Sequence, residues 1–197
     1  YSACFASPPC STFSRLRSIP GGPGPLRGLA GRDRYGLKHL SIKNAELVRL
    51  HNLLATRSAD ALAISLRTKG AAIVEQPALR EQEVSMFRLD EFSALLAIDG
   101  VQHTIGVQCA FGSPCAKLTS WLSVGCSLSD MPSTCGHSVV TWVSANGHTI
   151  EAKHPPSRGR IVYTRLTPGS SVHDFSAESG AGAYVSTALA AYPPLLN

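Results

Sequence analysis

The sequence predicts an α+β fold: a mixed β-sheet domain with one N-terminal amphipathic helix, plus long N- and C-terminal extensions. Three observations predict it. A single helical period at 42–56 is followed by many short β-capable runs. The runs are separated by turn chemistry, at Asn146-Gly147, Pro155-Pro156 and Pro168-Gly169. The chain has 197 residues, 44% of them apolar and only 16% charged, which suffices for one substantial core. That composition excludes a disordered tail, a collagen-like fibre and a coiled coil. The longest C-terminal stretch without an acid or a base, 179–196, holds too little hydrocarbon for a membrane span, so no transmembrane segment is expected.

The head, 1–38, carries the charge excess. It holds six bases, Arg15, Arg17, Arg27, Arg32, Arg34 and Lys38, against Asp33 alone, and this +5 equals the net charge of the whole chain. Rich in Ser and Arg, it resembles an organelle targeting segment, but Pro20-Gly21-Gly22-Pro23-Gly24-Pro25 stops any presequence helix at residue 19. With no periodic apolar face of its own, the head is expected to be extended, to touch its own globule little, and to be ordered by other subunits. The arginines, interleaved with Phe13 and Tyr35, could equally lie along the phosphates of ribosomal RNA.

After the head, Ser41 can cap a helix over 42–56, in which Leu47, Leu50 and Leu54 recur with Ala45 and Val48. The run 61–68 reads as a strand ending at the turn Lys69-Gly70. The stretches 91–96 and 101–107 flank Asp99-Gly100 and read as a hairpin. Further strands are expected at 118–124, 138–144, 148–152 and 160–166. This divides the chain into the head, a domain over 39–137, and a C-terminal extension over 138–197 with short strands and an apolar tail.

Six cysteines, at positions 4, 10, 109, 115, 126 and 135, are scattered too widely for a disulfide scaffold and read as mostly reduced thiols, with a Cys4–Cys10 loop as the alternative. No paired C-x2-C zinc spacing occurs. Cys109 or Cys126 with His103 or His137 offers a thiol and a base, but a core thiol is the simpler reading. Nucleotide binding has no support, since neither a Walker A run nor a strand followed by Gly-x-Gly-x-x-Gly is present. The acids Glu75, Glu81, Glu83, Asp90 and Glu91 read as a solvated loop.

Taken in order, 40–54, 61–70 as a strand ending in the turn Arg67-Thr68-Lys69-Gly70, Asp99-Gly100-Val101 and Thr134-Cys135-Gly136-His137 resemble the A-type iron-sulfur carrier (HesB/IscA-like) family. The resemblance covers about half the chain. It implies a cluster Cys directly after Gly70, where this chain has Ala71, a second Cys at Cys135, 64 residues on, and a third at the position of His137. The first ligand is therefore lost. Cys135 and His137 are left as residual metal-ligand candidates, and a site would need Cys126 or Cys115 as substitutes. The expectation is a degenerate carrier fold with no cofactor, neither cluster nor ion. It would serve as a non-enzymatic structural subunit of a large mitochondrial assembly, whether respiratory chain, ATP synthase or mitoribosome. The alternatives are an active iron-sulfur carrier with altered ligands and an RNA-contacting mitoribosomal protein.

Overall fold

A computed structural model of the chain describes residues 3–14, 17, 18, 20–78, 81–111, 117–155, 161 and 163–166. The C-terminal tail, Arg15 and Cys115 lie outside the described residues. Among the described residues the fold is α+β, with two α-helices and a mixed sheet, and the chain divides into two compact units. One comprises Tyr1–Gly106 with Leu118–Met131, the other Val107–Lys117 with Pro132–Asn197.

The first unit is built on a long helix, α1 (Ile42–Thr68). Ser41 caps it as expected, its side chain accepting from the Asn44 N–H. The helix does not stop near residue 56. It absorbs 61–68, the run read as a strand, because no Pro or Gly interrupts 42–68 and the buried positions Val48, His51, Ala55, Ser58, Ala59 and Leu62 keep one helical phase throughout. Lys69, in the left-handed region at φ 55°, ends it, and Gly70 donates back to the Ser65 carbonyl at 2.9 Å. The family resemblance implies that Leu47, Leu50, Leu54, Ile64, Leu66 and Val101 pack in one cluster; instead Leu50 and Ile64 are 47% and 50% exposed, while Leu66 and Val101 do pack on the core.

Four strands form the sheet: β1 (Ala3–Ala6), β2 (Ala71–Pro77), β3 (Val101–Val107) and β4 (Leu118–Val124), in the order β1-β2-β4-β3. β1 runs parallel to β2, and β2 runs antiparallel to β4 with Val74 opposite Leu122. β2 begins at Ala71, the position the family resemblance marks as a lost ligand, and pairs there with Ala3. At the β2–β4 end the turn needs Gly125 at φ 65°, because a side chain there would run into the Gly70 carbonyl. The second helix, α2 (Asp90–Leu96), replaces the expected strand at 91–96. Phe92 and Leu95, three apart, both face the core, and Asp90 and Glu91 occupy the first turn, where acids favour helix. No hairpin therefore joins 91–96 to β3, although Gly100 does turn at φ 90°.

The head is not a detached extension. Besides β1, it supplies Phe13 to the core and buries Leu26. Ser7 donates to Glu75 at 2.6 Å, and Gln76 donates to the Pro8 carbonyl at 2.6 Å. Arg27, 2% exposed, lies 3.7 Å over the Phe13 ring and donates to Thr12, to Asn52 and to the carbonyls of Arg34 and Val48. Paired donors and a short strand compensate for the missing apolar period that suggested an extended segment.

Among the described residues the second unit holds a small three-stranded sheet of β5 (Val140–Ser144), β6 (Thr149–Ala152) and β7 (Tyr163–Arg165), ordered β6-β5-β7 and antiparallel throughout. These strands fall within three of the predicted runs, and the β5–β6 turn is made by Asn146-Gly147, with Gly147 at φ 77°.

Candidate metal centre

The β5–β6 hairpin pairs Val140 with Ala152. Continuing that register beyond the paired residues brings the chain before β5 beside the chain after β6. His137 comes from the first of these and His154 from the second, and their rings lie 4.9 Å apart at 83°. Two residues before His137 sits Cys135, with its sulfur 3.4 Å from His137 Nδ1 and 3.1 Å from His154 Nε2. Lys153 anchors the same stretch, donating to the Cys135 carbonyl at 3.3 Å.

The fourth residue arrives from elsewhere in the chain. Val107 donates to the Pro132 carbonyl at 2.9 Å, and Gln108 donates to the Lys117 carbonyl at 3.0 Å. These bonds hold a 3-10 turn, Gln108–Phe111, whose Cys109 is buried. The ligand atoms of Cys109, Cys135, His137 and His154 all lie within 4.8 Å of one another. All four residues belong to the second unit.

This donor set fits one tetrahedral ion. Metal–sulfur and metal–nitrogen bonds of about 2.3 and 2.0 Å place neighbouring ligand atoms about 3.5 Å apart, which is the scale of the two sulfur–nitrogen distances above. Two thiolates and two imidazoles form a borderline-soft set suited to Zn2+. The set is closed: four protein ligands fill a tetrahedral shell and leave no position for a substrate or a reactive water. A two-iron cluster fits less well, since it would put the cysteines on one iron and the histidines on the other, holding sulfur and nitrogen further apart than 3.1 Å.

Cys135 and His137 are thus brought together, as the sequence suggested, but their companions are Cys109 and His154 rather than Cys126 or Cys115. Cys126 belongs to the first unit, where its carbonyl accepts from Ser123 at 3.2 Å and burial pushes its thiol pKa up. Cys109 and His137, weighed as a thiol and a base, do meet, within the four-residue set. His103 belongs to the first unit: it lies 3.1 Å from the Ser120 hydroxyl, and burial lowers its pKa. The ligand that sequence reasoning did not find is His154, two residues beyond the end of β6. Cys109 had no signal beyond being a cysteine near a strand end.

The arginines of the head have separate fates. Arg27 is interior, and burial lowers its pKa to about 10. Arg34 donates to the Arg88 carbonyl at 2.6 Å and pairs with Asp90 at 3.3 Å. Arg17 donates to the Gly24 carbonyl at 2.9 Å, and Arg32 is exposed. The expected row of outward cations is therefore interrupted at Arg27.

Among the described residues no helix is long and apolar enough to cross a membrane. In comparisons with known proteins, the chain matches no family model, no curated protein and no solved structure.

Proposed function

We propose that the protein is a non-enzymatic, zinc-binding structural protein whose second unit is organised around one Zn2+ held by Cys109, Cys135, His137 and His154. The single observation that carries this reading is the convergence of those four ligand atoms within 4.8 Å from three separate stretches of chain. A closed shell supports a structural role: the ion supplies folding free energy and no Lewis-acid site. The reading keeps the non-enzymatic part of the sequence expectation and replaces its empty site with a filled one.

The test is metal content and cobalt spectroscopy. The full chain purified without chelator should carry one zinc per chain. Replacement by Co2+ should give thiolate-to-cobalt charge transfer and the visible bands of a tetrahedral S2N2 ion. Cys135→Ala and His154→Ala should each abolish both signals, while Cys126→Ala leaves them unchanged. A chain with no bound metal after anaerobic purification, or one whose bound iron gives a cluster spectrum, would refute the reading.

A further inference from the structure

The exposed face of α1 carries a pattern that its own unit does not use. Lys43, Glu46, Leu50, Leu53, Arg57 and Asp60 recur at alternating steps of three and four residues and are all exposed. Leu50 and Leu53 are 47% and 46% exposed at the centre of this line, and Ile42 is 83% exposed near its start. Steps of three and four make the straight seam along which two helices pack. Such a seam on a 27-residue helix, with two leucines at the middle and charges on both sides, needs a partner helix of matching charge order.

The charge order selects the partner. In an antiparallel pair of α1 helices related by a two-fold axis at the level between residues 51 and 52, Lys43 faces Asp60, Glu46 faces Arg57, and Leu50 faces Leu53. Every charged position then meets its opposite, twice over, and the leucines meet at the axis. A parallel pair would set Lys43 on Lys43 and Arg57 on Arg57. An antiparallel pair centred on Leu53 would set Glu46 against Asp60 and Arg49 against Arg57. A slip of one heptad would oppose the leucines to charges. One arrangement satisfies the whole line, and it is isologous, the kind of contact that closes as a dimer.

Within the isolated chain these charges have little else to do. Arg57 lies 3.5 Å from Asp60 on the same helix, with side chains 74% and 51% exposed, an ion pair too solvated to hold either residue in place. We propose that a second copy of this chain docks on this face of α1, antiparallel, with Lys43 against Asp60 of the partner subunit and Glu46 against Arg57 of the partner subunit. The contact is independent of the metal centre.

Sedimentation velocity on the full, metal-loaded chain across a concentration series tests it. A monomer–dimer equilibrium is expected, weakened at about 0.5 M salt because exposed charge pairs are screened. K43E should weaken dimerisation about tenfold or more, since it sets like charges against each other at two symmetric places. The double variant K43E/D60K should restore it to within a few-fold of the parent, a rescue that only the stated register provides. Both positions are solvent-facing, and far-UV circular dichroism should show the helix intact in each variant. A chain that stays monomeric at every concentration overturns the proposal, including the case in which another segment of the same chain occupies the face. A dimer indifferent to K43E, or not rescued by the double variant, overturns it equally, by placing the interface elsewhere.

Discussion

In the first unit, thirteen buried residues drawn from the head, α1, β2, the 86–95 stretch and β4 form one apolar cluster, whereas among the described residues of the second unit only Val107, Cys109 and Val143 are buried apolar side chains. Both units have hydrogen-bonded strands. A three-stranded sheet of three to five residues per strand has little apolar face to bury, and small units of this kind generally need a covalent or metal staple. The four converging donors lie in the unit whose described residues bury little hydrocarbon. Burial of hydrocarbon accounts for the stability of the first unit, and the zinc proposed above would supply that of the second.

The largest effect is expected from removing the proposed zinc. Chelation, or Cys109→Ser, should unfold the second unit as a whole while the first stays folded, because the binding free energy of a structural zinc is the folding free energy of its unit. Each unit contains one tryptophan, Trp121 in the first and Trp142 in the second. A Trp121→Phe background therefore isolates Trp142, whose indole donates to the Ala152 carbonyl at 3.0 Å across the hairpin. Its emission should shift to that of a solvated indole on chelation and return with zinc. Amide exchange over β2 and β4 should stay slow throughout.

The converse substitution belongs in the first unit. Leu62→Ala, at a position with no exposure, should cost about 3–4 kcal/mol through lost burial and a residual cavity, and should leave zinc stoichiometry unchanged. Urea unfolding followed by Trp121 measures the loss. If Leu62→Ala released zinc as readily as Cys109→Ser does, the two units would not be held separately.

A smaller effect, about 2–3 kcal/mol, is expected for Arg27→Ala, which leaves Thr12, Asn52 and two carbonyls without the guanidinium that satisfies them. A polar residue of the head stabilises the apolar unit, so the loss should appear in the same urea transition as that of Leu62→Ala. An Arg27→Ala chain as stable as the parent would return the head to the status of an appendage.

The smallest expected effect is a pH dependence of the first unit. His51 is buried, its Nδ1 is 3.0 Å from the Thr12 hydroxyl, and its pKa is lowered below 6.5 by burial and then by the charge of Arg27. The unfolded chain therefore takes up the proton first. The stability contributed by neutral His51 is complete above 6.5 and falls as pH drops toward the lower folded-state value, where it levels off. Urea midpoints measured with chelator present, so that acid release of zinc does not contribute, should decline through that window, and His51→Gln should flatten the decline.

The family resemblance leaned on a strand at 61–68 that ended in the Lys69-Gly70 turn. The turn is there, but the residues before it are helix, with Leu62 buried in phase with Val48 and Ala55. Leu62, Ile64 and Leu66, set between Ala61, Ala63 and Ser65, satisfy both periods locally, and the decision falls to the longer-range phase running back to Ser41. The same ambiguity converted 91–96 from strand to helix, where Phe92 and Leu95 had a core to reach. In the second unit the opposite held, because Asn146-Gly147 is turn chemistry that works without outside help.

By itself the sequence determined the α+β class, the Ser41 cap, the strands within 101–107, 118–124, 138–144 and 148–152, and the association of Cys135 with His137, all properties of residues close together along the chain. Only the tertiary structure decided that β1 pairs with β2, that Arg27 turns inward, and that Cys109 and His154 join the pair from 26 residues before Cys135 and 19 residues after it. These meetings require closing loops whose entropic cost depends only weakly on their length, so no spacing in the chain announces them. What selects them is burial and donor geometry, which exist only once the strands and turns have formed.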